Sequence, residues 1–277
     1  MKNFGIIICL ISLLSCQEEV QLDLGDIPKK PIIEAIWTDN ASDNFIRITY
    51  TRDYYDTLDN EVAKNASVSI KDNSSGETVD FNYVEELGYY LPINNQVAIT
   101  GHQYTMKVLL DDVAYTSEGI TKEPPVLDSI TSRFREERFF AEEGYYLTLY
   151  GKIPFEDGNF YRLLVTKNDT LLNGTDDYFL FDDTFGTNIL DNGFELNGFA
   201  FEENDKVKLQ LIRLNENAYD YLVQFVSLLS NDGGLFSPPP ENPISNIIAS
   251  KGEGQVLGYF MTGSIISKTI TIEESEQ

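Results

Sequence analysis

The stretch Phe45-Ile46-Arg47-Ile48-Thr49-Tyr50-Thr51 alternates strictly in polarity. Ile46, Ile48 and Tyr50 fall on one face and Arg47, Thr49 and Thr51 on the other, the period of a strand buried on one side. The same period returns at Ala66, Val68 and Ile70, at Val79, Phe81 and Tyr83, and at Tyr104, Met106, Val108 and Leu110. Between these runs stand Asn40 to Asn44, Asp72 to Gly76, Asn94-Asn95 and Asp111-Asp112, all with turn chemistry. About seven half-buried strands at close spacing between Pro31 and Lys122 predict an immunoglobulin-like β-sandwich.

Glu123-Pro124-Pro125 marks a boundary, because consecutive prolines stiffen a linker and do not continue a central strand. Further strands are expected at Tyr145 to Ile153, Phe160 to Thr166, Tyr178 to Phe181, Lys206 to Ile212, Val256 to Met261 and Ile265 to Ile272. From Glu216 to Ser230 the spacing changes. Ala218, Leu222, Phe225 and Leu229 recur at helical intervals, Tyr221 and Val226 widen the stripe, and Asn231-Asp232-Gly233-Gly234 supplies a stop. The expected fold is therefore mainly β: a sandwich over residues 31–122, then a second β-rich domain over 123–277 with one amphipathic helix near 216–230.

The 277 residues hold 20 Lys and Arg against 45 Asp and Glu, a formal net charge of −25, with one His and two Cys. A phosphate backbone would repel such a chain, and no basic stripe reverses the sign locally, so nucleic acid is not an expected partner. With His102 as the single histidine, sites built from two or more histidines are excluded.

Residues 1–15, MKNFGIIICLISLLS, place Lys2 before an apolar run from Phe4 to Leu14. That run is about half of the roughly 20 residues a membrane-spanning helix needs, and it reads as a cleaved secretory signal. Leu13-Leu14-Ser15-Cys16 resembles a bacterial lipobox, in which the Cys16 thiol is acylated and becomes the first mature residue. Cys9 then leaves with the signal and Cys16 is consumed by lipid, so no disulfide, thiol nucleophile or thiolate ligand is expected. Residues 16–30 form a lipidated polar tether.

Several phrases together carry a family resemblance: the lipobox Cys16, the acidic tether, the strand Ile32 to Trp37, and Ala66-x-Val68-x-Ile70. Gly101-His102-Gln103-Tyr104-Thr105-Met106, Ser237-Pro238-Pro239-Pro240 through Asn246-Ile247, and Gly258-Tyr259-Phe260 complete it. The chain resembles the Bacteroidota surface lipoproteins of the domain-of-unknown-function family numbered 4249. In that setting Gln17-Glu18-Glu19 looks like an acidic surface-export tag. The resemblance implies an outer-membrane lipoprotein exposed at the cell surface. Its implied role is that of an accessory or substrate-capture subunit beside a TonB-dependent receptor, without catalytic residues to carry over. A stand-alone adhesive or structural surface protein is the alternative, and a glycan-active hydrolase a further one.

Within the chain, Asn168 to Asp205 is the most unusual segment, with ten acidic residues, no Lys or Arg, and seven aromatics: Tyr178, Phe179, Phe181, Phe185, Phe194, Phe199 and Phe201. Three readings fit it. Two strands with acidic turns and a core-facing Phe set is the simplest; a surface for a ligand or receptor is the second; and the third is a Ca²⁺ site at Asp176, Asp177, Asp182 and Asp183, whose oxygens suit that ion although their spacing matches no EF-hand. No other cofactor is expected. An enzyme triad would have to use His102, which sits in a turn with no Gly-x-Ser-x-Gly elbow anywhere in the chain.

Overall fold

The alternating runs become seven antiparallel strands in a computed structural model that describes residues 28–273, apart from 54, 55, 57, 140, 141, 185, 232–238 and 253–255. They are β1 (Pro31–Thr38), β2 (Phe45–Tyr50), β3 (Ser67–Asp72), β4 (Thr78–Val84), β5 (Tyr89–Pro92), β6 (Gln103–Leu110) and β7 (Val113–Ile120). Their lateral order is β1-β2-β5-β4-β3-β6-β7. Strands β1-β2-β5-β4 and β3-β6-β7 reproduce the two faces of the immunoglobulin Greek key, here joined into one path by the β3–β4 hairpin. Of the inward positions read from the sequence, Ile46, Ile48, Val68, Ile70, Val79, Phe81, Tyr104, Met106, Val108 and Leu110 are buried, while Tyr50, Ala66 and Tyr83 are partly buried and pack against them. Trp37 fills the centre, edge-on to Phe81 at 5.8 Å and to Tyr104 at 5.9 Å.

The turns follow from residue type. Asp111 and Asp112 take φ of 49° and 60°, the positive pair of a two-residue hairpin whose twist matches its strands. At the start of β6, the Tyr104 hydroxyl accepts the Ile99 N–H at 2.6 Å, the tyrosine-corner contact that fixes the crossing into this strand of the sandwich. Tyr104→Phe keeps the ring but strands that N–H, so we expect a loss of about 1–3 kcal/mol in urea denaturation. A smaller loss would show that water replaces the hydroxyl.

The second unit comprises β8 (Val126–Arg135), β9 (Gly144–Lys152), β10 (Phe160–Lys167), β11 (Thr170–Leu171), β12 (Phe179–Asp182), β13 (Phe194–Glu195), β14 (Lys206–Leu214), helix α1 (Glu216–Leu229), β15 (Ile248–Ala249) and β16 (Leu257–Thr271). Strand β8 was not anticipated, because its residues Asp128 to Arg133 are mostly polar and solvent-facing. The two expected strands Val256 to Met261 and Ile265 to Ile272 are one. Thr262-Gly263-Ser264, which read as a break, is buried strand, and Gly263 permits close approach: a Cβ there would stand 2.6 Å from the Arg213 carbonyl oxygen.

Strand β16 ties the units together. Its first half runs parallel to β1, from Ile32↔Leu257 to Thr38↔Gly263, and its second half antiparallel to β14, from Leu214↔Gly263 to Lys206↔Thr271. A single 13-stranded sheet therefore passes through both units, while the small sheet β13-β9-β8 covers the second. Between the two sheets lies a core that includes Leu147, Leu149, Tyr161, Leu163, Leu209, Phe199 and Phe201. Helix α1 covers the opposite face, setting Ala218, Tyr221 and Leu222 on Ile212, Tyr259 and Met261. The burial of its expected stripe fades toward the C-terminus, where Phe225 is half-buried and Leu229 is 41% exposed. The expected stop at 232–234 lies outside the described residues.

The chain after α1 returns to the first sandwich. Asn246 acts as a one-residue strand: its side chain accepts the Phe260 N–H and donates to the Phe260 carbonyl, both at 2.8 Å. Ser117 Oγ donates to the Asn246 carbonyl, Ser245 Oγ donates to the Gly258 carbonyl, and β15 pairs with β7. Ile247, Val256 and Phe260 are thereby buried in the first core. The seventh strand ends at Ile120, whereas the core it belongs to also takes in Ile247, Val256 and Phe260.

Candidate functional site

The acidic-aromatic segment folds inward. Phe199 and Phe201 are buried, and Phe179, Phe181 and Phe194 pack against the second core. Phe181 stacks on Tyr161 at 5.0 Å, and Phe179 meets Phe194 edge-on at 5.5 Å. Tyr178 lies beneath the Arg162 guanidinium and against Phe225 of α1. Phe185 lies outside the described residues. Among the described residues these aromatics pack inward, while Asp182 ends β12, Glu195 lies in β13, and Asp176 and Asp177 lie in a short turn.

The four named aspartates separate. Asp176 is exposed in the short turn Thr175–Asp177, and Asp177 closes that turn by accepting the Gly174 N–H at 2.7 Å. Asp182 accepts the Thr184 N–H at 2.9 Å and faces the Tyr219 hydroxyl at 3.4 Å. The Thr184 contacts hold its pKa below the ordinary carboxylate value, while burial and Asp182 push Tyr219 up to about 12. Among the described residues, no group of three or more His, Cys, Asp or Glu is placed to hold a metal ion.

Asp183 has a different environment, at the waist between the units. Its Oδ1 accepts the N–H groups of Gly158 and Asn159, both at 2.7 Å, and its Oδ2 accepts the Asn159 amide at 2.8 Å and the Tyr161 hydroxyl at 3.1 Å. Four donors use about all the lone pairs a carboxylate offers, leaving none for a cation. Asn159 Oδ1 in turn accepts Nε and Nη2 of Arg213, whose Nη1 donates to the Glu123 carbonyl at 2.9 Å. The guanidinium lies 3.8 Å from the Phe155 ring centre. Burial lowers the Arg213 pKa against the pull of Tyr161 and Asp183. The sequence did carry a signal for this network: Arg213 interrupts the apolar run Leu211 to Leu214 and is buried.

His102 is also tied into the scaffold. Its Nδ1 lies 2.7 Å from Asp72 Oδ2, while Asp72 Oδ1 accepts the N–H groups of Ser74 and Ser75. Burial raises the Asp72 pKa, but His102 and the serine N–H groups outweigh it and leave the group below 3.8. Asp205 behaves alike: burial is outweighed by Lys167 at 2.8 Å, the Glu202 N–H and Asn168. Folded-state pKa values depressed in this way contribute stability above the unfolded-state value and lose it as pH falls through the folded value. Thermal stability should therefore fall on acidification below about pH 4. Asp72→Asn should start lower at neutral pH and show a shallower acid limb; an unchanged limb would remove Asp72 from the account.

One cleft of about 260 Å³ opens where the end of β7 meets the start of α1, lined by Lys122, Asn215 and Glu216. Burial, then Arg213, lowers the Lys122 pKa. Asn215, at the helix start, turns its side chain to β16, accepting the Thr262 N–H at 3.0 Å. Glu118 and Glu216 line the same cleft and oppose an anion there.

No curated protein matches the sequence. Among solved structures, the selenomethionine-substituted chicken interferon gamma receptor alpha chain is similar over 68% of this chain and 90% of its own, at 10% identity and a TM-score of 0.19, which is too loose a superposition to support an argument. The family model described as Domain of unknown function (DUF4249) matches residues 17–269, which span the seven strands, the waist network and the Asn246 clasp. The chain belongs to that family.

Proposed function

We propose that this chain is a lipid-anchored outer-membrane protein exposed at the cell surface, serving as an accessory or substrate-capture subunit of a TonB-dependent nutrient transporter. The observation that carries this reading is the leader Met1 to Ser15 followed by Cys16 and Gln17-Glu18-Glu19. More than one acyl chain on Cys16 would give a stable anchor, because each buried CH₂ contributes about 0.8 kcal/mol. The fold meets the tether at Lys30, whose N–H donates to Thr51 Oγ1 at 2.9 Å and whose carbonyl accepts the Thr51 N–H at 2.8 Å. Residues 16–29 then supply a reach of up to about 50 Å if extended.

The test is purification of the tagged full-length chain from membranes in mild detergent. An outer-membrane β-barrel receptor should co-purify, and Cys16→Ser should abolish both palmitate labelling and membrane retention. Recovery of the chain without any barrel would overturn the transporter role, and an unlabelled parent would overturn the anchor.

A further inference from the structure

On the outer face of the first sandwich, β1, β2 and the chain following β2 enclose a cleft of about 530 Å³, within the size range of small-ligand sites. Glu34 on β1 and Arg47 on β2 lie on the sheet side; Arg52 and Asp59 come from the loop between β2 and β3; Ile32 and Leu87 add apolar surface. Arg47 is held by one edge: its Nε forms an ion pair with Glu34 at 3.1 Å and its guanidinium lies 5.8 Å from the Phe45 ring centre. Neither of its Nη atoms has a hydrogen-bond partner among the described residues. Arg52 donates one Nη to the Leu58 carbonyl, and Asp59 has no hydrogen bond among the described residues.

In a chain of net charge −25, the formal charges lining this cleft cancel, two guanidinium groups against two carboxylates. A ligand of one sign meets repulsion from half of them, whereas a ligand with both signs meets a partner for each. We propose that the cleft binds a small zwitterion with an apolar side chain, an amino acid or short peptide. Its carboxylate takes the open fork of Arg47, the geometry guanidinium groups favour, its ammonium faces Asp59, and its side chain lies on Ile32 and Leu87. This binding needs neither the lipid anchor nor a receptor, so it stands or falls separately from the transporter role.

The experiment is calorimetric titration of the full chain in detergent with leucyl-leucine, its C-terminal amide and its N-acetyl form. Leucyl-leucine should bind, and each blocked form should bind about tenfold more weakly or worse. Arg47→Gln changes a side chain that is 48% exposed, so it should weaken leucyl-leucine about tenfold without moving the melting temperature. If that variant does melt lower, Asp59→Asn asks the same question of the ammonium. Absence of binding at about 10 mM, equal binding of the blocked forms, or unchanged binding in whichever variant melts like the parent would overturn the proposal.

Discussion

A Gly258→Ala chain should fail to fold or lose at least about 4 kcal/mol of stability, a loss confined to a few named mechanisms. Two of them coincide here. Gly258 sits at φ 99°, where an L side chain costs about 1–3 kcal/mol. In addition, the new Cβ would lie 2.0 Å from the Ile33 carbonyl oxygen, 2.6 Å from its carbonyl carbon and 2.7 Å from its nitrogen. All three are backbone atoms of β1, paired with Gly258 in the parallel seam, so no side-chain rotation relieves the contact. Relief requires β1 and β16 to part, which would open the first core at Phe260 and break the sheet between the units. Gly76 is the control: at φ 82° with nothing within 4 Å of a built Cβ, its alanine variant should lose only the conformational share. Urea denaturation followed by the fluorescence of Trp37, the single tryptophan, reads both variants in the first core. Similar losses at 258 and 76 would mean that the seam is looser than described.

The same seam shows where sequence reading reaches its limit. A strand buried on one side writes its period into neighbouring residues, so the strands at Ile46 to Tyr50 and Tyr104 to Leu110 were legible, as was the helix at Glu216 to Leu229. Pairing between distant segments leaves no such trace. Nothing local to Leu257–Gly263 announces a parallel partner at Ile32–Thr38, and the glycine and threonine that make the passage tight read as a break. The C-terminal half of α1 shows the converse: Leu229 has helical spacing, yet it is 41% exposed. At the candidate site, acids could be found by composition but their partners could not. Asp183 was visible beside Asp182, whereas Asn159 and Arg213 reach it only through the fold.

That dependence makes Asp183 the second place where one substitution should have a large effect. Asp183→Ala removes the acceptor of four hydrogen bonds and leaves the Tyr161 hydroxyl, the Asn159 amide and two backbone N–H groups without it in a buried site. It also removes a carboxylate whose charge acts on Arg213, a residue 9% exposed, leaving Glu123 to offset that buried cation. Breaking such an arrangement from one side costs about 3–5 kcal/mol, far more than an exposed pair. Asp183→Asn keeps the shape but turns an amide N–H toward donors, so it should recover only part of the loss. Arg213→Met tests whether the charge is the cause, since it removes the cation while retaining apolar contact with Phe155. Combined with Asp183→Ala, it should give a total loss smaller than the sum of the single losses by at least about 1 kcal/mol, because the two groups share Asn159. Additive losses would instead show that Asp183 acts through the Gly158-Asn159 turn alone, with Arg213 held by Glu123 and Phe155 independently of it.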